Sequence, residues 1–222
     1  MPSRGQREAY DVSPMDDDRE AAGIFGGSYG KTPMPRAKPA SDLSVYQLKV
    51  TLRDSKPPIW RRIQVTSDIR LSTLHLVLQV VMGWEDAHLH QFMAHGMYYG
   101  TPHPDFGFEV QNEQQVSLHQ VVSRAKDKLI YEYDFGDSWE HELLVEKILP
   151  VEEGKRYPVC LTGKRACPPE DCGGIWGYAS LLAAIRDPEH PEHEEMVEWV
   201  GGEFDPDALN LDEMNGELQR LT

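Results

Sequence analysis

The chain is 222 residues long, 40% hydrophobic and 27% charged, with a formal net charge of −15; it has enough apolar content for a core and too much for a wholly disordered protein. The acidic balance disfavours sequence-independent binding to nucleic acid, because phosphate recognition runs on Lys and Arg, although it does not exclude a local basic contact. No run approaches the roughly 18 apolar residues of a membrane span, and MPSRGQREAYDVSP at the N-terminus lacks the apolar centre of a signal peptide, so the cytoplasm is the expected address and no membrane partner is expected.

Residues 1–41 carry Pro, Gly, Ser and charge without a sustained apolar period and read as a flexible tail, which leaves 42–222 as one folded domain. Within the tail, FGGSYGKT imitates a phosphate-binding loop. Its glycine spacing is wrong, and Pro33 and Pro35 stand where a helix would have to begin.

From Leu43 onward the pattern sharpens. Tyr46, Leu48, Val50 and Leu52 alternate with polar residues, and Ile59, Ile63 and Val65 resume the period after Pro57-Pro58, which predicts two antiparallel neighbours. Leu71, Leu74, Leu78 and Val81 recur at helical spacing, from a start at Ser72-Thr73 to a stop near Gly83, as a core-packed helix would require. HLHQFMAHGMYYG (88–100) reads as strand and turn, LIYEYDFGDSWEHELLVEKIL (129–149) as a long hairpin, and 157–174 as a Pro/Gly/Cys-rich loop. WGYASLLAAIRD, PEHEEMVEWV and LDEMNGELQRL predict three short C-terminal helices, with the acids between Asp187 and Glu217 turned to water. Such irregular interleaving implies an α+β fold with a mixed or antiparallel sheet, not a doubly wound one.

The hairpin apex YDFGDSWEH (133–141) concentrates acids, aromatics and a histidine. Asp134-Phe135-Gly136 spells a kinase metal-binding triplet, but the glycine-rich turn, strand lysine and catalytic loop of a kinase are missing. With Gly136-Asp137 as the centre of a two-residue type II′ turn, Asp134 opposes Trp139 and Glu132 opposes His141, so these four share one face and the tyrosines the other. A three-residue loop would instead place His141 with the tyrosines.

Alternation also puts His88 and His90 on one strand face, about 7 Å apart, where they can share a cation with a ligand from another strand. With Asp137 and His141 they form the candidate metal set, a divalent ion being the cofactor candidate. His75 lies among Leu71, Leu78 and Met82 and reads as a core residue. Cys160, Cys167 and Cys172 are spaced by seven and five, make no C-x-x-C knuckle and read as reduced thiols. In the loop that carries them, Pro168 and Pro169 add stiffness, Glu170 or Asp171 can cap an orphan amide, and Gly173-Gly174 permit a close turn. The candidate pocket therefore comprises His88, His90, Asp134, Asp137, Trp139, His141, Glu170 and Asp171. Arg53, Arg61 and Arg62 are the candidate nucleic-acid contacts.

IWRRIQV (59–65), MGW (82–84), HLHQF (88–92), YDFGDSWEH and ACPPEDCGGIWGY (166–178) together resemble the plasmid pRiA ORF-three-like family over residues 43–222. The resemblance implies a single α+β domain from bacteria or archaea, associated with plasmids and mobile elements, some of whose relatives are labelled insertion-element passengers or resolvases. Serine recombination needs an activated serine ringed by arginines and a basic DNA-binding domain, and the sequence offers neither. Three functions are then to be weighed: a module that binds a protein or small-molecule partner, a metal-dependent hydrolase using His88, His90, Asp137 and His141, and a DNA-contacting accessory protein.

Overall fold

The computed structural model describes residues 43–102 and 109–221; the expectations for residues 1–41 lie outside them. In chain order the elements are β1 (Ser44–Leu52), β2 (Trp60–Thr66), α1 (Leu71–Met82), β3 (His90–Ala94), β4 (Met97–Gly100), β5 (Val110–Asn112), α2 (Leu118–Val121), β6 (Lys128–Tyr133), β7 (Trp139–Pro150), β8 (Val159–Lys164), α3 (Gly174–Arg186), α4 (His193–Trp199) and α5 (Leu211–Leu218). The strands form one eight-stranded sheet in the order β5-β4-β3-β6-β7-β1-β2-β8. Among the described residues only the β4–β5 pair is parallel, so the architecture is α+β with a mixed sheet.

Register follows the period-2 pattern. Leu48 lies opposite both Ile63 and Val145, and Val50 opposite Leu143, which collects the apolar side chains of the central strands on one face. That face is covered by α1, whose Leu71, Leu74, Val77, Leu78 and Val81 are fully buried. Withdrawing each such side chain from water contributes about 1.5–3 kcal/mol. The opposite face carries Lys49, Arg62, Glu140 and Glu142 and meets solvent, the usual division for a largely antiparallel sheet covered on one side.

Helix α1 ends where the sequence places its stop. Gly83 adopts φ +79°, and the amides of Gly83 and Trp84 turn back to the carbonyls of Val80 and Gln79, closing the last turn and aiming Trp84 into the core. The three C-terminal helices form as expected. Two short elements, β5 and α2, and the edge strand β8 were not expected. The Gly and Cys content of VCLTGK predicts part of the loop at 157–174, but its backbone pairs with β2 from Trp60↔Lys164 to Gln64↔Val159. Among the described residues no helix is long and apolar enough to cross a membrane.

Candidate functional site

The hairpin between β6 and β7 adopts the register of the odd-numbered loop. Tyr133 pairs with Trp139, Glu132 with Glu140 and Tyr131 with His141, which corrects the two-residue turn. The Ser138 amide donates to the Asp134 carbonyl at 2.6 Å, and positive φ falls on Asp134 (+55°) and Ser138 (+54°), not on Gly136. The reason is burial: this register puts Tyr131, Tyr133, Trp139 and His141 on the core face and leaves Glu132 and Glu140 in water.

At the apex three separate segments converge. Asp134 donates its amide to the Leu89 carbonyl, and its side chain accepts from the Gly136 amide. Asp137 accepts from the Gly173 amide at 3.0 Å. Tyr133 Oη donates to Glu170 Oε1 at 2.7 Å and accepts from the amides of Ala87 and His88, while Glu170 also accepts from the Glu85 amide. Trp84 Nε1 donates to the Pro168 carbonyl and its ring stacks on Tyr133 at 5.0 Å. These bonds bring His88 between two carboxylates, with Nδ1 3.8 Å from Asp134 Oδ2 and Nε2 3.2 Å from Asp171 Oδ1. Around this rim, Leu89, Phe135 and Trp176 present exposed apolar surface, Trp176 in the first turn of α3 with 84% exposure.

A second His/carboxylate group lies deeper, where α1 meets β3. The His75 and His90 rings stack in parallel, centroids 3.4 Å apart and planes within 4°. His75 Nε2 is 2.7 Å from Asp86 Oδ1 and its Nδ1 is 2.8 Å from Tyr131 Oη; His90 Nε2 is 2.9 Å from Glu113 Oε2. Gln79 braces the group, donating through Nε2 to Tyr131 Oη and accepting the Asp86 amide at Oε1. Burial, then the neighbouring His90, pulls the His75 pKa below its ordinary value, and burial pushes the Tyr131 phenol well upward.

The candidate residues are thus divided. His88, Asp134, Asp137, Glu170 and Asp171 meet at the rim. Trp139 and His141 belong to the core face beneath it: His141 is fully buried and packs against the rings of Trp84 and Tyr131. Burial lowers its pKa to about 4. The proposed metal set of His88, His90, Asp137 and His141 therefore does not assemble. His88 precedes β3 and turns to Asp134 and Asp171, His90 faces His75, Asp137 is held by Gly173, and Tyr131 stands between His90 and His141.

The arginines are corrected as well. Arg61, 2% exposed, lies opposite Val50 on the buried face and donates to the carbonyls of Val81, Trp60 and Lys164 and to Cys167 Sγ. Arg62 forks onto Glu146 at 2.6 and 2.9 Å, and Arg53 pairs with Glu140, so these cations form no open basic face. The three thiols are free, and burial pushes Cys167 to about 11 and Cys172 to about 12, which leaves them protonated and unreactive near neutrality. Sequence reasoning missed Asp86, Glu113 and the stacking role of His75. No local pattern marks them, since Glu113 follows a three-residue strand and Asp86 an ordinary helix stop.

A mixed sheet covered on one face, with a strand start, a hairpin apex and a proline-rich loop laced together at one end, defines a small α+β domain with a polar histidine-bearing rim. The chain belongs to the plasmid pRiA4b ORF-3-like proteins, whose family model matches residues 44–213. It is 41% identical over 180 residues to the uncharacterized protein y4hQ of Sinorhizobium fredii, covering 80% of this chain and 92% of that one. The crystal structure of MM3350, a protein of unknown function from Methanosarcina mazei Go1, is similar with a TM-score of 0.71 and 39% identity, over 78% of this chain and 98% of that one.

Proposed function

We propose that this chain is a cytoplasmic binding module of plasmid and mobile-element biology, and that its rim takes a positively charged group carried by a partner protein or small ligand. The observation that carries this reading is the convergence on His88 of Asp134 and the exposed Asp171, on segments that also carry the exposed apolar Leu89 and Trp176. Carboxylates next to an aromatic face suit an ammonium or guanidinium, which gains both an ion pair and cation–π attraction. The overall charge of −15 adds long-range attraction for such a partner. The hydrolase built on His88, His90, Asp137 and His141 would need these four on one ion, and a DNA-contacting role would need Arg53, Arg61 and Arg62 free; the positions of these residues support neither.

The test is an amide NMR titration with arginine amide and with a short Arg/Trp-containing peptide. Shifts should concentrate at residues 85–90, 133–138 and 170–177 and vanish in an Asp134→Asn/Asp171→Asn double variant. Absence of saturable shifts up to millimolar ligand, or shifts unchanged in the double variant, would sink the reading.

A further inference from the structure

The geometry points to a binding site for one divalent first-row transition-metal ion, formed by His75, Asp86, His90 and Glu113. This site is separate from the rim and does not depend on the binding role given to it.

The donors come from four places: a helix, the turn after it, a strand, and the residue following β5. Ligand atoms of His75, Asp86 and His90 all lie within 4.8 Å of one another, and Glu113 Oε2 reaches His90 Nε2 at 2.9 Å. Tetrahedral bonds of roughly 2.0–2.1 Å place donors about 3.4 Å apart, a spacing within reach of the His75, Asp86 and His90 atoms, while Glu113, outside that close set, would join the ion by swinging from its bond to His90. The stacked rings must tilt apart for each Nε2 lone pair to point at it. Two imidazoles with two carboxylates suit zinc, manganese or ferrous iron, whereas a calcium or magnesium site would be built from oxygen alone.

Charge and support favour the same assignment. Glu113 is buried, and its carboxylate and that of Asp86 are paired only with histidine among the described residues. Neither carboxylate has a Lys or Arg partner among the described residues. A buried carboxylate such as that of Glu113 is ordinarily paired or bound to metal. The Tyr131 hydroxyl on His75 Nδ1 is the kind of outer contact that fixes a ligating ring and leaves Nε2 for the ion. Asp86, whose side chain is 46% exposed, provides the way in.

Full-length protein without a histidine tag, stripped of metal, would be dialysed to equilibrium against Zn²⁺ and separately against Mn²⁺. One equivalent per chain should bind. Asp86→Asn and Glu113→Gln should each weaken binding at least tenfold, and a His88→Gln/Asp171→Asn double variant should bind as the wild type does. Asp86 is exposed enough that its variant should melt like the wild type in chelator, so its result stands even if Glu113→Gln misfolds. Failure of the wild type to take up either ion stoichiometrically would overturn the site. So would undiminished binding by Asp86→Asn, or loss of binding in the rim double variant.

Discussion

Tyr133 Oη donates to Glu170 Oε1 at 2.7 Å and so ties the hairpin to the proline-rich loop. The same oxygen accepts the Ala87 and His88 amides, so one buried hydroxyl fixes three segments of the rim. Tyr133→Phe keeps the ring stacked on Trp84 but leaves these groups without their partner, and should cost about 1–3 kcal/mol in urea denaturation. Hydrogen exchange should quicken at residues 85–88 and 168–172. A variant as stable and as protected as the wild type would show that the hydroxyl is not the tie.

Arg61 is a buried cation with carbonyl acceptors, one of them the Val81 carbonyl in the last turn of α1, where positive charge also suits the helix dipole. The side chain also needs the space left by Gly163, since a Cβ there would stand 2.8 Å from Arg61 Cδ. Arg61→Ala should cost about 3 kcal/mol or more, because it strands several buried carbonyls at once. Arg61→Lys should recover little of this, lacking the planar fork. The readout is the equilibrium denaturation midpoint. Gel shifts with plasmid-derived duplex at low salt should detect no binding that depends on Arg61.

His141 gives the domain a defined acid sensitivity. Its ordinary pKa of 6.5 is lowered to about 4 in the fold, first by burial. Above pH 6.5 both folded and unfolded chains hold it neutral. Between pH 6.5 and about 4 the unfolded chain takes up a proton that the folded chain refuses, so stability falls with pH, by roughly 3 kcal/mol in total. Below that range both states are protonated and the loss stops growing. Urea titrations of wild type and His141→Phe from pH 7 to 4 should show the variant's stability falling less by that amount. Parallel curves would mean that His141 does not contribute.

The close approach of α3 to the hairpin depends on missing side chains. A Cβ on Gly174, which has φ +67°, would lie 2.5 Å from the Asp137 carbonyl oxygen, and one on Gly177 would lie 1.8 Å from that of Cys172. Gly174→Ala should therefore destabilise by about 1–3 kcal/mol and loosen the Asp137–Gly173 contact. In contrast, Gly216 lies inside α5 with nothing within 4 Å of a built Cβ. Gly216→Ala should stabilise by about 0.5–1 kcal/mol. Thermal melts of the two variants should move in opposite directions.

Much of the frame is written locally. The alternation of Tyr46, Leu48, Val50 and Leu52, the helical recurrence of Leu71, Leu74, Leu78 and Val81, and the stop at Gly83 each specify an element through side chains a few residues apart, which is the range over which periodicity and capping act. The existence of the β6–β7 hairpin is legible in the same way. Elements of three or four residues such as β5 and α2 carry too few side chains to register a period, and β8 takes its strand conformation from pairing with β2, not from its Gly- and Cys-containing sequence.

The hairpin's register and both histidine groups were decided only by the tertiary structure. Turn chemistry at Gly136 favoured one register, but burying Tyr131, Tyr133, Trp139 and His141 beneath α1 outweighed it and moved the positive φ to Asp134 and Ser138. His75 is marked by the sequence only as one position on an apolar helical face. That the residue across from it is His90, with Asp86 and Glu113 at the edges, depends on how α1 settles on β3 and on a parallel β5 that delivers Glu113. A sequence pattern records which way a side chain points from its own backbone; what it meets there is set by the packing of elements far apart in the chain.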